Sequence, residues 1–483
     1  MRKVVLGLAA LALVGVLVAG GLFVWIRKQE SRNVRGSSTV EFVPTEPAAP
    51  PPNPELSKVP WPTYGYDDAR TRFANGVDMR PPFRAVWRFR AQSLVEFPPA
   101  VAYRRLYFAN NSGAFFSISA RTGKRAWRFD SRRCVASSPA VTRGRVYMTF
   151  LNHPPCNTDA VQDGQVISFH AGTGRIDWKR TIGPSESSPL VADGTVYLGD
   201  WRGIVYALDA RTGKTRWTFR TGGRIKGAPA LSGGTLYVGA YDSHLYALSA
   251  RTGTLRWKAS AQLRLGSRGT FYSTPAVAYG RVYIGATDGK VYSFGASTGK
   301  LRWARGTGGY VYGSPAVWRK RVLVGSYSGR FYALDAATGD VKWQFQANGP
   351  ISGSATVLRG LVYFATLSRR TYALNAETGR VVWSFPDGKY TPVVADARRL
   401  YLVGYGSVYG LLPRNAAPLV RADVVEALRK AHALKGAHFL ILRSSSGARE
   451  AARKLHGVQV CNVAVQSKRR ARVLALLRDT CAG

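Results

Sequence analysis

Short runs of alternating hydrophobic and polar residues recur along most of the chain at intervals of about 40 residues. The runs include 138–141 and 145–147 in one unit and 204–208 in another, and turn residues separate them. Period-two alternation is typical of β-strands that are buried on one face. Four such strands in about 40 residues match one blade of a β-propeller, so the pattern predicts repeated blades with strands A, B, C and D.

Tryptophans mark the repeat. Seven of them follow a Thr-Gly dipeptide by four residues, and Trp87 lies one repeat length before the first. We expect each glycine to form the left-handed residue of a C–D hairpin and each tryptophan to pack between neighbouring blades. The last A–B–C set, 391–411, has no tryptophan, so the strand around Trp87 should complete an eighth blade and close the ring. The expected blade-docking residues are Trp87, Trp127, Trp178, Trp217, Trp257, Trp303, Trp343 and Trp383.

Both ends of the chain depart from the repeat. The uncharged stretch 4–26 is long enough to span a bilayer as a helix, and a signal peptide cleaved near 19–21 is the alternative. After residue 413, apolar residues recur at helical spacing over 421–435, and short apolar runs typical of buried strands follow. The predicted fold class is mainly all-β, an eight-bladed β-propeller with an N-terminal transmembrane helix and a small C-terminal α/β unit. The predicted domains are a transmembrane signal anchor (1–28), a Pro-rich linker (29–60), the propeller (61–412) and a small basic α/β domain (413–483).

Two loops are longer than the repeat requires. One insertion lies in a B–C loop around 152–163, and the other lies in a D–A loop around 259–272. In an up-and-down blade these loops emerge on the same face, opposite the Thr-Gly turns, so we expect function on that face. Arginine interleaved with aromatic residues there suits anionic or planar ligands and protein partners. The candidate ligand or partner residues are Arg133, Trp201, Arg224, Lys226, Tyr241, Arg268, Tyr272, Tyr312 and Tyr327.

Four cysteines bear on the compartment. Cys134 and Cys156 lie on the face that carries the two long loops, which we call the elaborated face, whereas Cys461 and Cys481 lie near the C-terminus. Three connectivities are possible, and the domain partition favours 134–156 and 461–481. Disulfides would indicate an oxidising compartment; free thiols in a reducing cytosol are the alternative.

Charge changes the range of partners. The chain has 69 lysines and arginines against 27 aspartates and glutamates, a formal net charge of +42. Such a field attracts nucleic acid, acidic lipid head groups or acidic cell-wall polymers, unless it is only a solvated surface. An exterior location makes nucleic acid the least favoured of these partners. The histidines show no spacing typical of metal ligands, so no metal site is expected.

The opening segment 61–67 with Arg70 and Arg72, and the repeated form of residues 206–217, resemble the quinoprotein-like (PQQ-binding-like) propeller repeat family. The resemblance implies the propeller fold. The family includes quinone-dependent dehydrogenases, sensor domains and the propeller lipoprotein that scaffolds outer-membrane protein assembly. The dehydrogenase branch needs a metal beside the quinone, a carboxylate base and adjacent cysteines, and this chain has no adjacent cysteines.

These observations favour the non-catalytic branch. We expect a propeller that is anchored in the cell membrane by a single span, lies on the extracytoplasmic side and uses no cofactor. It would act as a scaffold or sensor and bind an envelope protein or an anionic cell-wall polymer through the elaborated face. A quinone (PQQ)-dependent dehydrogenase of the cell envelope is the alternative.

Overall fold

A computed structural model shows how the repeats assemble. It describes residues 13–24, 32–45, 58–74, 77, 79–156, 162–264, 267–390, 393–414, 440–442 and 463–465. Within these residues, eight antiparallel sheets of four strands form the blades, and blade 7 has an additional parallel strand, Phe73–Ala74, beside its strand A. The predicted eight-bladed β-propeller is therefore confirmed.

In every blade the strands A, B, C and D follow one another from the centre of the ring outward. Blade 1 contains Ala100–Ala102, Arg105–Ala109, Ala114–Ser119 and Arg125–Asp130; blade 2 contains Ala140–Thr142, Arg145–Phe150, Gln165–His170 and Ile176–Thr181. Blade 3 contains Leu190–Ala192, Thr195–Gly199, Ile204–Asp209 and Thr215–Arg220; blade 4 contains Ala230–Ser232, Thr235–Gly239, His244–Ser249 and Leu255–Ser260. Blade 5 contains Ala276–Ala278, Arg281–Gly285, Lys290–Gly295 and Leu301–Gly306; blade 6 contains Ala316–Trp318, Arg321–Gly325, Arg330–Asp335 and Val341–Gln346. Blade 7 contains Thr356–Leu358, Leu361–Thr366, Arg370–Asn375 and Val381–Phe385; blade 8 contains Val394–Ala395, Leu400–Val403, Ser407–Pro413 and Phe83–Arg90.

The ring closes with strands from opposite ends of the propeller sequence. Phe83–Arg90 pairs antiparallel with Ser407–Pro413, and Trp87 lies opposite Gly410. The strand around Trp87 therefore supplies strand D of blade 8, as the repeat count predicted. The blades bury mainly aliphatic and aromatic side chains against each other, and these form the hydrophobic core.

Each tryptophan of strand D contacts the next blade. In blade 2, Trp178 Nε1 donates a hydrogen bond of 3.0 Å to the carbonyl of Ala210, and its ring covers Gly213. Gly213 has φ +72°, and a Cβ there would lie 2.7 Å from Trp178 Cε3. Seven of the eight tryptophans donate such a bond to an alanine carbonyl; Trp383 instead packs edge-on against Phe83, with ring centroids 5.3 Å apart. The glycine is thus required both for the turn and for the approach of the ring.

The opening segment 61–74 fills the centre of the ring. Its carbonyls accept main-chain hydrogen bonds from strand A of successive blades, including Asp68 from Leu231 (2.7 Å) and Arg72 from Val357 (2.8 Å). The Arg70 side chain is completely buried and donates to the Pro229 carbonyl at 2.9 Å. The chain's own residues therefore close the central channel, and we call this segment the plug.

Residues 32–45, from the region predicted as an extended linker, lie along blade 5. Val34 and Ala304 exchange two main-chain hydrogen bonds of 2.9 Å at the outer edge of strand D. Further along, the Glu41 carboxylate accepts a bond from Ser297 and pairs with Arg302. The described part of this segment is therefore extended but packed against the propeller.

The predicted end units are described only in part. A helix covers 13–24, and among the described residues no helix has the length and apolarity needed to cross a membrane. The rest of the stretch 4–26 lies outside the described residues, so the transmembrane anchor stays a prediction. In the C-terminal region, Leu440–Leu442 pairs in parallel with Val463–Val465. The remainder of the predicted α/β domain, including Cys461 and Cys481, lies outside the described residues.

Candidate functional site

The B–C and D–A loops form one face of the ring, which we call the loop face. Cys134 and Cys156 form a disulfide there, with Cα atoms 5.5 Å apart, as the sequence predicted. Arg133 beside it is buried and pairs with Asp163 at 3.2 Å. Arg133 thus holds the B–C insertion of blade 2 to the preceding loop and is not open to a ligand.

Lys226 lies at the loop-face end of the central channel inside a cage of aromatic rings. Its Nζ is 4.7 Å from the ring centroid of Trp201 and 5.6 Å from those of Tyr241 and Tyr272. The same ammonium pairs with Glu186 at 2.9 Å, and only 17% and 8% of the two side chains are exposed. Because the lysine is paired and surrounded by π faces, its charge keeps these loops of blades 2 to 4 together.

A second carboxyl, Glu96, lines the same channel mouth. Burial, together with the nearby negative charge of Glu186, raises the pKa of the Glu96 carboxyl to about 7, while the positive charge of Lys226 opposes this shift. The mouth therefore contains one carboxyl group that pairs with Lys226 and a second, Glu96, whose pKa lies near neutrality.

Tyrosines extend from the lysine cage across the loop face to blade 6. Tyr272 contacts Tyr312 with ring centroids 5.0 Å apart, and Tyr312 contacts Tyr310 and Tyr327 at 5.6 and 5.4 Å. The inner rings are largely covered, whereas Tyr310 and Tyr327 are 52% and 38% exposed. We call this continuous set the tyrosine patch; it comprises Trp201, Arg224, Lys226, Tyr241, Tyr272, Tyr310, Tyr312 and Tyr327.

The channel mouth beside the tyrosine patch is shallow. Its floor is Tyr64 of the plug, whose hydroxyl lies 2.7 Å from Ser354 Oγ. Hydroxyls at equivalent blade positions accept main-chain bonds from their neighbours, for example Ser314 Oγ from Thr274 N at 2.9 Å. The cavity that remains has a volume of about 50 Å³.

A cofactor of the quinone-dependent enzymes does not fit this cavity as it stands. Ligand pockets commonly have volumes of ~300–1,000 Å³, far above the space left between Tyr64 and the loops. Among the residues that the structure describes, no group of three or more His, Cys, Asp or Glu side chains is placed to hold a metal ion. The arrangement instead presents the exposed rings of Tyr310 and Tyr327 outward.

The structure brings most of the sequence-predicted site residues together in the tyrosine patch. Arg133 is not part of the patch and lies beside the disulfide, whose Cys134 packs in one cluster with Trp201. Arg268 lies in a two-stranded hairpin, Leu263–Arg264 with Ser267–Arg268, and donates to the carbonyl of Ala261. Sequence reasoning gave Glu96 and Tyr64 no role at the channel mouth. No spacing marks Tyr64, but Glu96 stands three residues before a proline, as Lys226 does, so the repeat register could have found it.

Comparisons with known proteins agree with this architecture. The chain matches the model of the family described as outer membrane protein assembly factor BamB over residues 84–185, 162–310 and 305–471. BamB from Moraxella catarrhalis superposes with a TM-score of 0.58 at 18% identity, covering 69% of this chain and 99% of that one. The quinohemoprotein alcohol dehydrogenase of Comamonas testosteroni superposes with a TM-score of 0.61 at 16% identity, covering 76% of this chain and 84% of that one.

Curated relatives match over shorter lengths. The Comamonas testosteroni dehydrogenase is 29% identical in an alignment 188 positions long that covers 32% of this chain and 25% of the relative. The quinoprotein glucose dehydrogenase of Escherichia coli is 21% identical in an alignment 271 positions long that covers 45% of this chain and 33% of the relative. The matched parts thus cover a third or less of either enzyme.

Proposed function

Because this chain belongs to the repeat family of the outer membrane protein assembly factor BamB, we propose that it is a non-catalytic scaffold of the cell envelope that binds a protein partner through its loop face. The observation that carries the proposal is the tyrosine patch, which ends in the exposed rings of Tyr310 and Tyr327 beside a channel filled by the plug. Tyrosine, tryptophan and arginine dominate the energetics of protein interfaces, and rings held by their neighbours lose little entropy on binding.

The proposed location is the cell membrane, with the propeller on the extracytoplasmic side. The Cys134–Cys156 disulfide supports an oxidising compartment. The apolar stretch 4–26 supports a single-pass anchor. Extraction of membranes at alkaline pH tests this location: the chain should stay in the pellet, and release into the supernatant would contradict the anchor.

Capture from solubilised membranes tests the partner. The full chain carrying Tyr310→Ala and Tyr327→Ala should recover its main partner about tenfold less than the unchanged chain, because both exposed rings are removed. Leu255→Ala is the matched control, since Leu255 is 45% exposed on the outer strand of blade 4, away from the patch. Equal recovery by the double variant and the control, with unchanged melting temperatures, would refute the tyrosine patch as the interface.

The same preparation separates the scaffold from the alternative enzyme. Similarity to the Comamonas testosteroni dehydrogenase motivates adding quinone cofactor and calcium to the purified chain. No bound chromophore and no dye-linked oxidation of alcohols or sugars are expected. A stoichiometric chromophore with such oxidation would replace the scaffold proposal by the dehydrogenase.

A further inference from the structure

A second concave surface lies at the seam where blades 7 and 8 meet, and we call it the seam groove. It has a volume of about 520 Å³ and opens between the outer strand of blade 8 and the loops of blades 7 and 8. Its charged and aromatic lining consists of Arg88, Arg90, Arg369, Asp387, Tyr405 and Tyr409. No residue of the tyrosine patch lines it.

Strand D of blade 8 departs from the repeat at this groove. Arg88 and Arg90 occupy the first and third positions after Trp87. None of the other seven blades has a lysine or arginine at both of these positions. Blade 1 has Arg128 and Asp130 there, and they form an ion pair of 2.7 Å. Where blade 1 neutralises its arginine, blade 8 therefore adds a second positive charge.

Arg369 in the B–C loop of blade 7 is a further departure. It adopts φ +56°, in the left-handed region that disfavours side chains with a Cβ. Its guanidinium lies 4.2 Å from the ring centroid of Tyr405, above the groove. The equivalent loop positions of blades 1, 3, 5 and 6 hold Gly113, Gly203, Gly289 and Gly329, and that of blade 4 holds Ser243, all at positive φ. Arg369 therefore places a positive charge above the groove at a position where four other blades have no side chain.

The groove's negative charge is already engaged. Asp387 is the only carboxylate among the described residues that line the groove. It accepts hydrogen bonds from the Tyr409 hydroxyl at 2.8 Å and from the main chain of Tyr405 at 3.0 Å. Three arginines therefore face one acid whose oxygens are turned toward the loops, which leaves the groove positive.

The outer edge of a blade accepts an extended chain in this molecule. At blade 5, Val34 pairs with Ala304, the residue directly after the docking tryptophan. Arg88 holds the same position in blade 8, so its main-chain groups face the same outer edge. Arg88 and Arg90 point to one side of the strand with a spacing of about 6.6 Å, which matches alternate side chains of a paired strand.

We propose that the seam groove binds an acidic segment of a partner protein in extended conformation. The segment pairs through its main chain with the edge of strand D at Arg88, and carboxylates at alternate positions meet Arg88, Arg90 and Arg369. Peptide is favoured over a polyphosphate or acidic polysaccharide because only a peptide supplies main-chain donors and acceptors to a strand edge. This site is independent of the tyrosine patch.

Fluorescence polarisation of the full chain with a short labelled peptide that has glutamate at alternate positions tests the proposal. A glutamine version of the peptide is the ligand control. Arg90→Asp should weaken binding at least about tenfold, because it recreates the neutral pair of blade 1. Arg220→Asp is the matched control, since it makes the same charge change at the same repeat position of blade 3 and should have little effect.

Arg369→Gly separates binding from folding. It restores the residue found at this turn position in other blades, so the melting temperature should not fall while peptide affinity drops about tenfold. Three results would overturn the proposal. Equal losses of peptide affinity from Arg90→Asp and Arg220→Asp would show a net-charge effect, and unchanged affinity of a peptide N-methylated at alternate residues would exclude main-chain pairing. Polyphosphate that binds more tightly than the peptide, and loses as much affinity in Arg369→Gly as the peptide does, would show that the groove takes polyanions.

Discussion

Replacing Gly213 by alanine tests the contact that repeats around the propeller. Gly213 and Gly194 lie in the same blade with similar conformations, φ +72° and +68°. A Cβ on Gly194 would come no closer than 3.8 Å to any neighbour, the tip of Arg216, whereas a Cβ on Gly213 would meet the Trp178 ring at 2.7 Å. Gly194→Ala is therefore a control that has the backbone strain without the clash.

The two substitutions should differ by about 2 kcal/mol in the free energy of unfolding. An alanine in the left-handed region costs about 1 kcal/mol at either position. At Gly213 the ring of Trp178 must also move, which costs about 1–3 kcal/mol for overpacking and weakens its bond to the Ala210 carbonyl. We expect a loss of about 1 kcal/mol for Gly194→Ala and about 3 kcal/mol for Gly213→Ala.

Urea unfolding followed by tryptophan fluorescence and circular dichroism measures both losses. In a Trp178→Phe background the smaller ring should relieve the clash, and Gly213→Ala should then cost only about 1 kcal/mol. Equal losses for the two glycine variants in the unchanged background would refute the reasoning, since they would show that the tryptophan adds nothing to the constraint on the turn.

Three other outcomes are expected. Tyr107→Phe should lower stability by about 1 kcal/mol in thermal unfolding, because it removes a hydrogen bond of 3.2 Å to the Ala171 carbonyl of blade 2. Tyr363→Phe should be neutral or stabilising, because the buried Tyr363 hydroxyl has no hydrogen-bond partner among the described residues. Equal effects of the two substitutions would contradict this reasoning. Replacing Cys134 and Cys156 by alanine should lower stability by about 3 kcal/mol, and dithiothreitol should then destabilise this variant less than it destabilises the unchanged chain. Folding raises the pKa of the Glu96 carboxyl from its usual 4.5 to about 7, so this group's contribution to stability falls as the pH rises from 4.5 to 7. Glu96→Gln should therefore raise stability at pH 8 by up to about 3 kcal/mol and leave it unchanged near pH 4. A gain independent of pH would contradict the shift.

The fold was predictable because its determinants are local and repeated. Gly213 must adopt a left-handed conformation, and the ring of Trp178 must pack on it. The same two requirements recur in nearly every blade. Period-two alternation then assigns the strands between them. The missing tryptophan after 391–411 was enough to place Trp87 in the last blade.

The candidate site was less accessible to sequence reasoning because its contacts join distant loops. The repeat register placed Lys226 and Tyr241 on one face, but it contains nothing that distinguishes an exposed arginine from Arg133, which is buried against Asp163. Glu96 occupies the repeat position of Lys226, three residues before a proline, so the register could have placed it on the same face. Tyr64 lies in the plug, before the first repeat. A single sequence does not indicate where such a segment lies.

The plug and the closing strand also determine when the molecule can finish folding. Both lie near the start of the propeller sequence, yet their partners extend to strand C of blade 8, close to the end of that sequence. During synthesis, residues 61–90 precede the blades. The bond between Val141 and Pro62 can form once blade 2 is present, whereas the bond between Val357 and Arg72 and the pairing of Phe83–Arg90 must wait for blades 7 and 8. Completion of the ring is therefore a late event that depends on contacts between the two ends of the propeller sequence. A chain that stops before Ser407–Pro413 leaves the strand Phe83–Arg90 without a sheet.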